Sequence, residues 1–326
     1  MGSPEQDVLI STVCDLYEKI STLESLKPCE QVNTLFTQLV LACIPPSPLD
    51  VSRLPLTVQT VRSKLIRLCG EAEGHLETHY STLLGTFENP LQHLDIFPYF
   101  NNYLKLGLLE FSILSRHHPA PPRRLAFIGS GPLPLTSLVL ATNHLPAATF
   151  GNYDLDPAAN SLAAALVAAD ADLSKRMSFH TADIMDVTSE LGEYDVVFLA
   201  ALVGMDKEEK VRVIEHLGKY MAPGATLMLR SAHGARAFLY PVVEPGDLGR
   251  GFEALSVYHP TDEVINSVVI ARKLGMGVGS RALDPTRGVS GNYFVRPCKC
   301  SDQVQGLCPV NHLHMVEEFA IDEHLA

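Results

Sequence analysis

Between residues 124 and 229, five short apolar runs alternate with stretches long enough to be helices: Arg124 to Ile128, Thr149 to Asp154, Met177 to His180, Asp195 to Leu199 and Ala225 to Leu229. Short apolar runs spaced in this way read as buried parallel strands joined by crossover helices. Two more strand-like segments, Phe252 to Tyr258 and Val264 to Ala271, are separated only by His259-Pro260-Thr261-Asp262-Glu263. That spacing leaves no room for a crossover helix, so the pair is expected to close as an antiparallel hairpin.

Upstream the pattern is different. Leu9, Val13, Leu16, Ile20 and Leu23 recur at alternating spacings of four and three, which lines one face of a helix behind Ser3-Pro4-Glu5-Gln6, a capping sequence with proline at its first helical position. A second helix runs through Val32, Leu35, Phe36, Leu39 and Val40 and stops before Ile44-Pro45-Pro46-Ser47-Pro48. Further helices are expected at 56–69, 71–84 and 98–116, and no alternating strand pattern interrupts them. His117-His118-Pro119-Ala120-Pro121-Pro122 is the clearest linker. The chain therefore divides into an all-helical part, 1–118, a sheet-forming part, 119–273, and a glycine-broken extension, 274–326, expected to be disordered and dispensable for chemistry.

With 37 acidic against 25 basic residues, the formal charge of −12 repels a phosphate backbone and favours small cationic substrates such as sulfoniums and amines. Nucleic acid is excluded as a partner on that ground. The N-terminus carries acids where a signal peptide has its basic region, and no apolar stretch is long enough to span a bilayer, so a cytoplasmic protein is expected. Of seven cysteines the first four, Cys14, Cys29, Cys43 and Cys69, are scattered among apolar residues as reduced thiols are, and the odd total argues against a full disulfide framework. Cys298, Cys300, Cys308, His312 and His314 cluster in the tail without matching a zinc spacing, and His75 and His79 lack the HExxH order, so no metal site is assigned. The oligomeric state is left open, a homo-oligomer included.

Phe127-Ile128-Gly129-Ser130-Gly131-Pro132-Leu133 closes the first strand and opens the next helix. Glycines at 129 and 131 permit positive φ and a close backbone approach to a ligand. Asp154 ends the second strand where such folds hold ribose hydroxyls, while Asp156, followed by Pro157, is read as a helix cap or a supporting residue. Asp183, in Thr181-Ala182-Asp183-Ile184, follows the third strand. Phe127 stands where an acid is usual and Leu133 where a third glycine is usual, so the loop places a ligand without naming the reaction.

Five alternating strands followed by a hairpin resemble the class I S-adenosylmethionine-dependent, Rossmann-like α/β fold. The wording of several strings goes further: Glu73-Gly74-His75-Leu76-Glu77, Phe97-Pro98-Tyr99-Phe100-Asn101-Asn102-Tyr103, the glycine turn itself, Phe198-Leu199-Ala200-Ala201-Leu202-Val203-Gly204-Met205, Leu229-Arg230-Ser231-Ala232-His233-Gly234 and His259-Pro260-Thr261. Together they closely resemble the plant nicotianamine synthases over about residues 5–273, and the Gly-rich tail resembles extensions of the grass members. The resemblance implies an aminocarboxypropyltransferase of plant metal homeostasis, tied to iron and phytosiderophores. It would condense three S-adenosylmethionine molecules into nicotianamine and release three methylthioadenosines, with no metal and no cofactor beyond that substrate. A methyltransferase of a small amine is the alternative on the same fold.

The resemblance implies Gly129, Ser130, Gly131, Asp154, Ala182, Asp183 and Ala200 as contacts of the sulfonium substrate. Attack by an α-amine requires a base within reach. Glu77 is the first candidate with Glu73 one turn away on the same face, although three nearby acids also fit a solvated helix face. Tyr103 is expected to position substrate, with Tyr99 beside it; packed aromatics are the competing reading. Arg230 suits a carboxylate clamp and His233 follows it at the carboxyl edge of the sheet, while a structural salt bridge is the rival role for Arg230.

Overall fold

The computed structural model describes residues 4–275 except 48 and 119. Ser3 and the Cys/His cluster of the tail therefore lie outside the described residues, as does all of the 274–326 extension beyond Leu274 and Gly275. Helices α1 (Pro4–Ser21), α2 (Glu30–Cys43), α3 (Leu56–Leu84) and α4 (Phe100–His117) come first. The sheet part then runs β1 (Arg124–Ile128), α5 (Leu135–Val139), β2 (Thr149–Asp154), α6 (Pro157–Ala168), α7 (Leu173–Arg176), β3 (Met177–Thr181), β4 (Val196–Leu199), α8 (Lys207–Tyr220), β5 (Thr226–Ser231), β6 (Phe252–Tyr258) and β7 (Ser267–Lys273). Every segment expected as a strand forms one, with ends moved by up to three residues.

One expectation is corrected. The helices expected at 56–69 and 71–84 are a single helix, α3, which passes through Gly70 without a break. A methyl group at Gly70 would meet Cε of Met205 at 3.1 Å and Leu202 at 3.5 Å. The glycine is there for close packing of α3 on the loop after β4, rather than to end a helix.

The sheet has the order β3-β2-β1-β4-β5-β7-β6, with β1 to β5 parallel and β7 antiparallel to both β5 and β6. The order reverses between β1 and β4, the position at which open α/β sheets bind ligands beyond their carboxyl ends. Asp156 caps α6 by accepting from the Ala158 amide at 2.8 Å, with Pro157 at the first helical position. Asp206 caps α8 in the same way through Glu209.

Packing crosses the proline linker. Leu106, Ile113 and Leu114 of α4 sit in one core with Phe127, Phe150 and Phe198 of the sheet. Conversely Ala235, Phe238 and Leu239, which follow β5, and Ile265, which precedes β7, are buried among Val13, Leu16, Leu39 and Leu65 of the helices. The helical part is thereby held rigidly over the carboxyl edge of the sheet, and the two enclose a cavity.

Candidate active site

The cavity measures about 600 Å³ and lies between α3, α4, the glycine turn after β1 and the loop after β4. Its floor is set by Gly129 and Gly131, at φ +78° and +66°. A methyl group at Gly129 would stand 2.4 Å from Val203 and 3.2 Å from Ala200, so only glycine lets β1 end this close to the β4 loop. Leu133, at the third-glycine position, is 1% exposed and packs with Leu84 and Phe97 from the helical part. This loop is thus braced from above, and its sequence departs from the dinucleotide pattern for that reason. Phe127 stacks on Phe198 and lies under the Arg230 guanidinium, 5.5 Å from its ring centre.

Helix α3 brings its acids to this floor. Ser81 donates to the Pro132 carbonyl at 2.8 Å, and one turn earlier Glu77 places Oε2 where a Cβ on Gly131 would be 2.5 Å away. Tyr103 of α4 donates to Glu77 Oε1 at 3.4 Å, a long bond that a small shift of either helix tightens. Glu73 accepts from the Tyr240 hydroxyl at 3.0 Å. Burial pushes Glu77 well above the ordinary carboxylate range, and the neighbouring charge of Glu73 adds to it. Glu73 is raised as well, by burial, against the opposing effects of the Tyr240 hydrogen bond and Arg230. Burial raises the Tyr103 phenol far above its usual value, with Glu77 and Glu73 next in effect, so its hydroxyl acts as a neutral hydrogen-bond donor. Tyr99 is raised by burial and then by Glu73.

Arg230 is 7% exposed and forms a two-pronged pair with Glu110, Nε to Oε1 at 2.8 Å and Nη2 to Oε2 at 3.1 Å; Nη2 also donates to Thr136 Oγ1 at 2.6 Å. It nevertheless lines the cavity. Asp154 also lines it, but both carboxylate oxygens accept from backbone, Oδ2 from Gly131 and Oδ1 from Asp156. Asp154 thus fixes the glycine turn on which the cavity rests.

This chain matches the family model described as nicotianamine synthase protein over residues 2–278. The chain belongs to the nicotianamine synthase family. It is 61% identical to the nicotianamine synthase of Solanum lycopersicum over 324 residues, covering 99% of this chain and 100% of that protein. It is 65% identical to the probable nicotianamine synthase 4 of Arabidopsis thaliana, over 84% of this chain and 86% of that one. With nicotianamine synthase 9 of Hordeum vulgare it shares 61% identity, over 82% and 80% of the two chains. The match to the tomato protein thus runs through the tail, whereas that to the barley protein covers only four-fifths of the chain. Among solved structures, MtNAS in complex with MTA and tNA superposes with a TM-score of 0.69 at 21% identity, covering 84% of this chain and 100% of that one. The likeness to MtNAS is one of fold.

Of the residues singled out in the sequence of this family member, Glu73, Glu77, Tyr99, Tyr103, Gly129, Ser130, Gly131, Asp154, Ala200 and Arg230 all line the one cavity. Ala182 and Asp183 stand at the end of β3 outside its lining; the Ala182 amide donates to the Asp154 carbonyl, and Asp183 accepts from the Met185 amide. His233 is not brought to the cavity. It is exposed and stacks on His259, with ring centres 4.0 Å apart.

Four contributors escaped the sequence reading: Glu110, Thr136, Tyr240 and Asn266. Only Glu110 left a signal, an acid one turn after Leu106 and one before Leu114 on the buried face of α4.

Proposed function

We propose the following division of labour in the condensation of three S-adenosylmethionine molecules into nicotianamine. The sheet part, 119–273, holds the sulfonium substrate with its adenosine over the ends of β1, β2 and β4, where Gly129, Ser130, Gly131 and Ala200 let it approach the backbone, and Ala182 and Asp183 flank the adenine side. The helical part, 1–118, supplies Glu77 as the base. In each transfer an α-amine loses a proton to Glu77 and its lone pair forms a C–N bond to the γ-carbon of the aminobutyrate chain. The C–S bond breaks, and its electron pair leaves with neutral methylthioadenosine. The third bond closes the azetidine ring by the same exchange.

The observation that carries this reading is the seat of Glu77 against Gly131, with the Tyr103 hydroxyl on its other oxygen. A base there faces the carbon chain of a sulfonium whose adenosine rests on the glycine turn. Burial keeps Glu77 a stronger base than a surface glutamate, and a cationic substrate brings the countercharge that permits it to ionise. Arg230, anchored by Glu110, presents Nη1, the nitrogen that Glu110 does not engage, to substrate carboxylates. Tyr103 and Tyr99 position the chain, and no metal is assigned a role.

No described helix is long and apolar enough to cross a membrane. Incubation with S-adenosylmethionine alone tests the reaction. Methylthioadenosine is expected to accumulate without added acceptor. S-adenosylhomocysteine as the main nucleoside product would instead support the methyltransferase alternative.

A further inference from the structure

The two carboxylates of α3 are arranged alike. Each accepts from one tyrosine hydroxyl, Glu77 from Tyr103 of α4 and Glu73 from Tyr240, which follows β5, and both pairs line the same cavity. Four residues along an α-helix advance about 6 Å. Along the nicotianamine skeleton, consecutive nitrogens are separated by three carbons, four bonds of about 1.5 Å in zigzag, or about 5 Å. The acids are therefore spaced close to the repeat of the growing chain.

We propose that Glu73 and Tyr240 form a second amine station, which holds the protonated nitrogen of the once-condensed intermediate while Glu77 deprotonates the attacking nitrogen one repeat away. This rests on the reading of the cavity as the site of aminocarboxypropyl transfer. A second observation points to a ligand in the same cavity. Asn266 lines the cavity, is 9% exposed, and its Nδ2 has no hydrogen-bond partner in the protein. Its neighbour Ile265 belongs to the buried cluster against which Tyr240 and Ala72, the residue before Glu73, are packed. Every unit of the intermediate carries a carboxylate beside its nitrogen, so an amine on Glu73 brings an acceptor to this otherwise unpaired donor.

The asymmetry of the stations gives each its own step. A first acceptor, S-adenosylmethionine itself, has one amine and needs only Glu77. The once-condensed intermediate has two, and from that point on the growing chain can occupy both stations, which the first acceptor cannot. Its proton balance is simple: the nitrogen on Glu73 stays protonated, and the proton released in the transfer leaves through Glu77. Burial resists a second negative charge beside Glu77, and a bound ammonium removes that resistance.

The experiment compares the full-length wild-type chain, Glu73→Gln and Tyr240→Phe with S-adenosylmethionine as the only substrate. Methylthioadenosine is measured by chromatography and amine products by mass spectrometry. In both variants the ratio of nicotianamine to once-condensed intermediate is expected to fall by about tenfold or more, the scale of a lost hydrogen bond to a charged group. Glu77→Gln is expected to slow all release without changing that ratio. If Glu73→Gln does not fold by circular dichroism, Tyr240→Phe, which loses one hydroxyl, carries the test. An unchanged product ratio in the folded variants overturns the second station. S-adenosylhomocysteine from the wild-type chain would instead overturn the underlying reading, so the two failures are distinguishable.

Discussion

Oε2 of Glu77 lies 2.5 Å from where a Cβ on Gly131 would stand, so a helix of the N-terminal part and the turn after β1 meet at a point where only a hydrogen fits. Gly131→Ala therefore acts twice. Its φ of +66° strains any other residue, at roughly 1–2 kcal/mol. Its methyl also pushes the carboxylate away from the substrate. Misplacement of a reacting group by about 1 Å costs on the order of a hundredfold, and methylthioadenosine release is expected to fall by that much. Release within a factor of a few of wild type, in a chain that folds, would show that Glu77 need not touch this turn.

Glu77→Gln preserves size and removes basicity. Turnover is expected to fall by about two to four orders of magnitude at saturating substrate, the contribution of general base catalysis. The pH dependence has a definite sign. Glu77 is raised in the folded chain by burial and then by Glu73, so the native state holds this proton more tightly than the unfolded one. The associated stability is present below the ordinary glutamate value, about 4.3, and is lost as pH rises through the raised folded value. Glu77→Gln should therefore gain stability relative to wild type as pH rises above the ordinary range. Denaturant titrations at several pH values check this, and a constant difference between the two chains would show that Glu77 is not desolvated. In the wild type, catalysis needs the ionised form, so the acid limb of the rate profile should lie above the usual carboxylate range.

The sheet was legible because burial on both faces writes continuous apolar runs, and the hairpin because five residues cannot hold a crossover. Glu77 and Tyr103 were reached through the wording of their strings, since an acid on a helix has no local mark of being buried. Tyr240 and Asn266 were not reached at all. They sit in irregular segments, after β5 and before β7, whose place over the cavity is set by packing among helices far away in sequence. Arg230 was read as a clamp with a salt bridge as rival. Its partner Glu110 lies 120 residues away, a pairing that no spacing encodes.

The Glu110 pair yields a separate expectation. Glu110 is 1% exposed and is held by two bonds from Arg230. Glu110→Ala leaves a buried guanidinium without its countercharge, which costs about 3–5 kcal/mol where such pairs have been broken. Unfolding by denaturant should move to correspondingly lower concentration. A loss below about 1 kcal/mol would mean that Arg230 finds other acceptors, and that Glu110 does not fix its direction toward the cavity.

Lys210 is 2% exposed and forms no ion pair among the described residues; its ammonium donates to the carbonyls of Ala200 and Ala201, at 3.0 and 2.8 Å, beneath the β4 loop that lines the cavity. Like Glu110, it interrupts a buried stripe, here Val213, Ile214 and Leu217 of α8. Burial pushes its pKa down to about 7. Unfolded, the same lysine titrates near about 10.4. Between these values the unfolded chain binds the proton and the folded chain does not, so stability rises with pH across that window; below about pH 7 the folded chain carries the full cost of a buried charge. Lys210→Met has no such slope. The stability of wild type relative to Lys210→Met is expected to increase steadily from pH 7 to pH 9 in denaturant titrations. Parallel curves over that range would mean that Lys210 stays protonated in the folded chain and that its two carbonyl contacts compensate its charge in full.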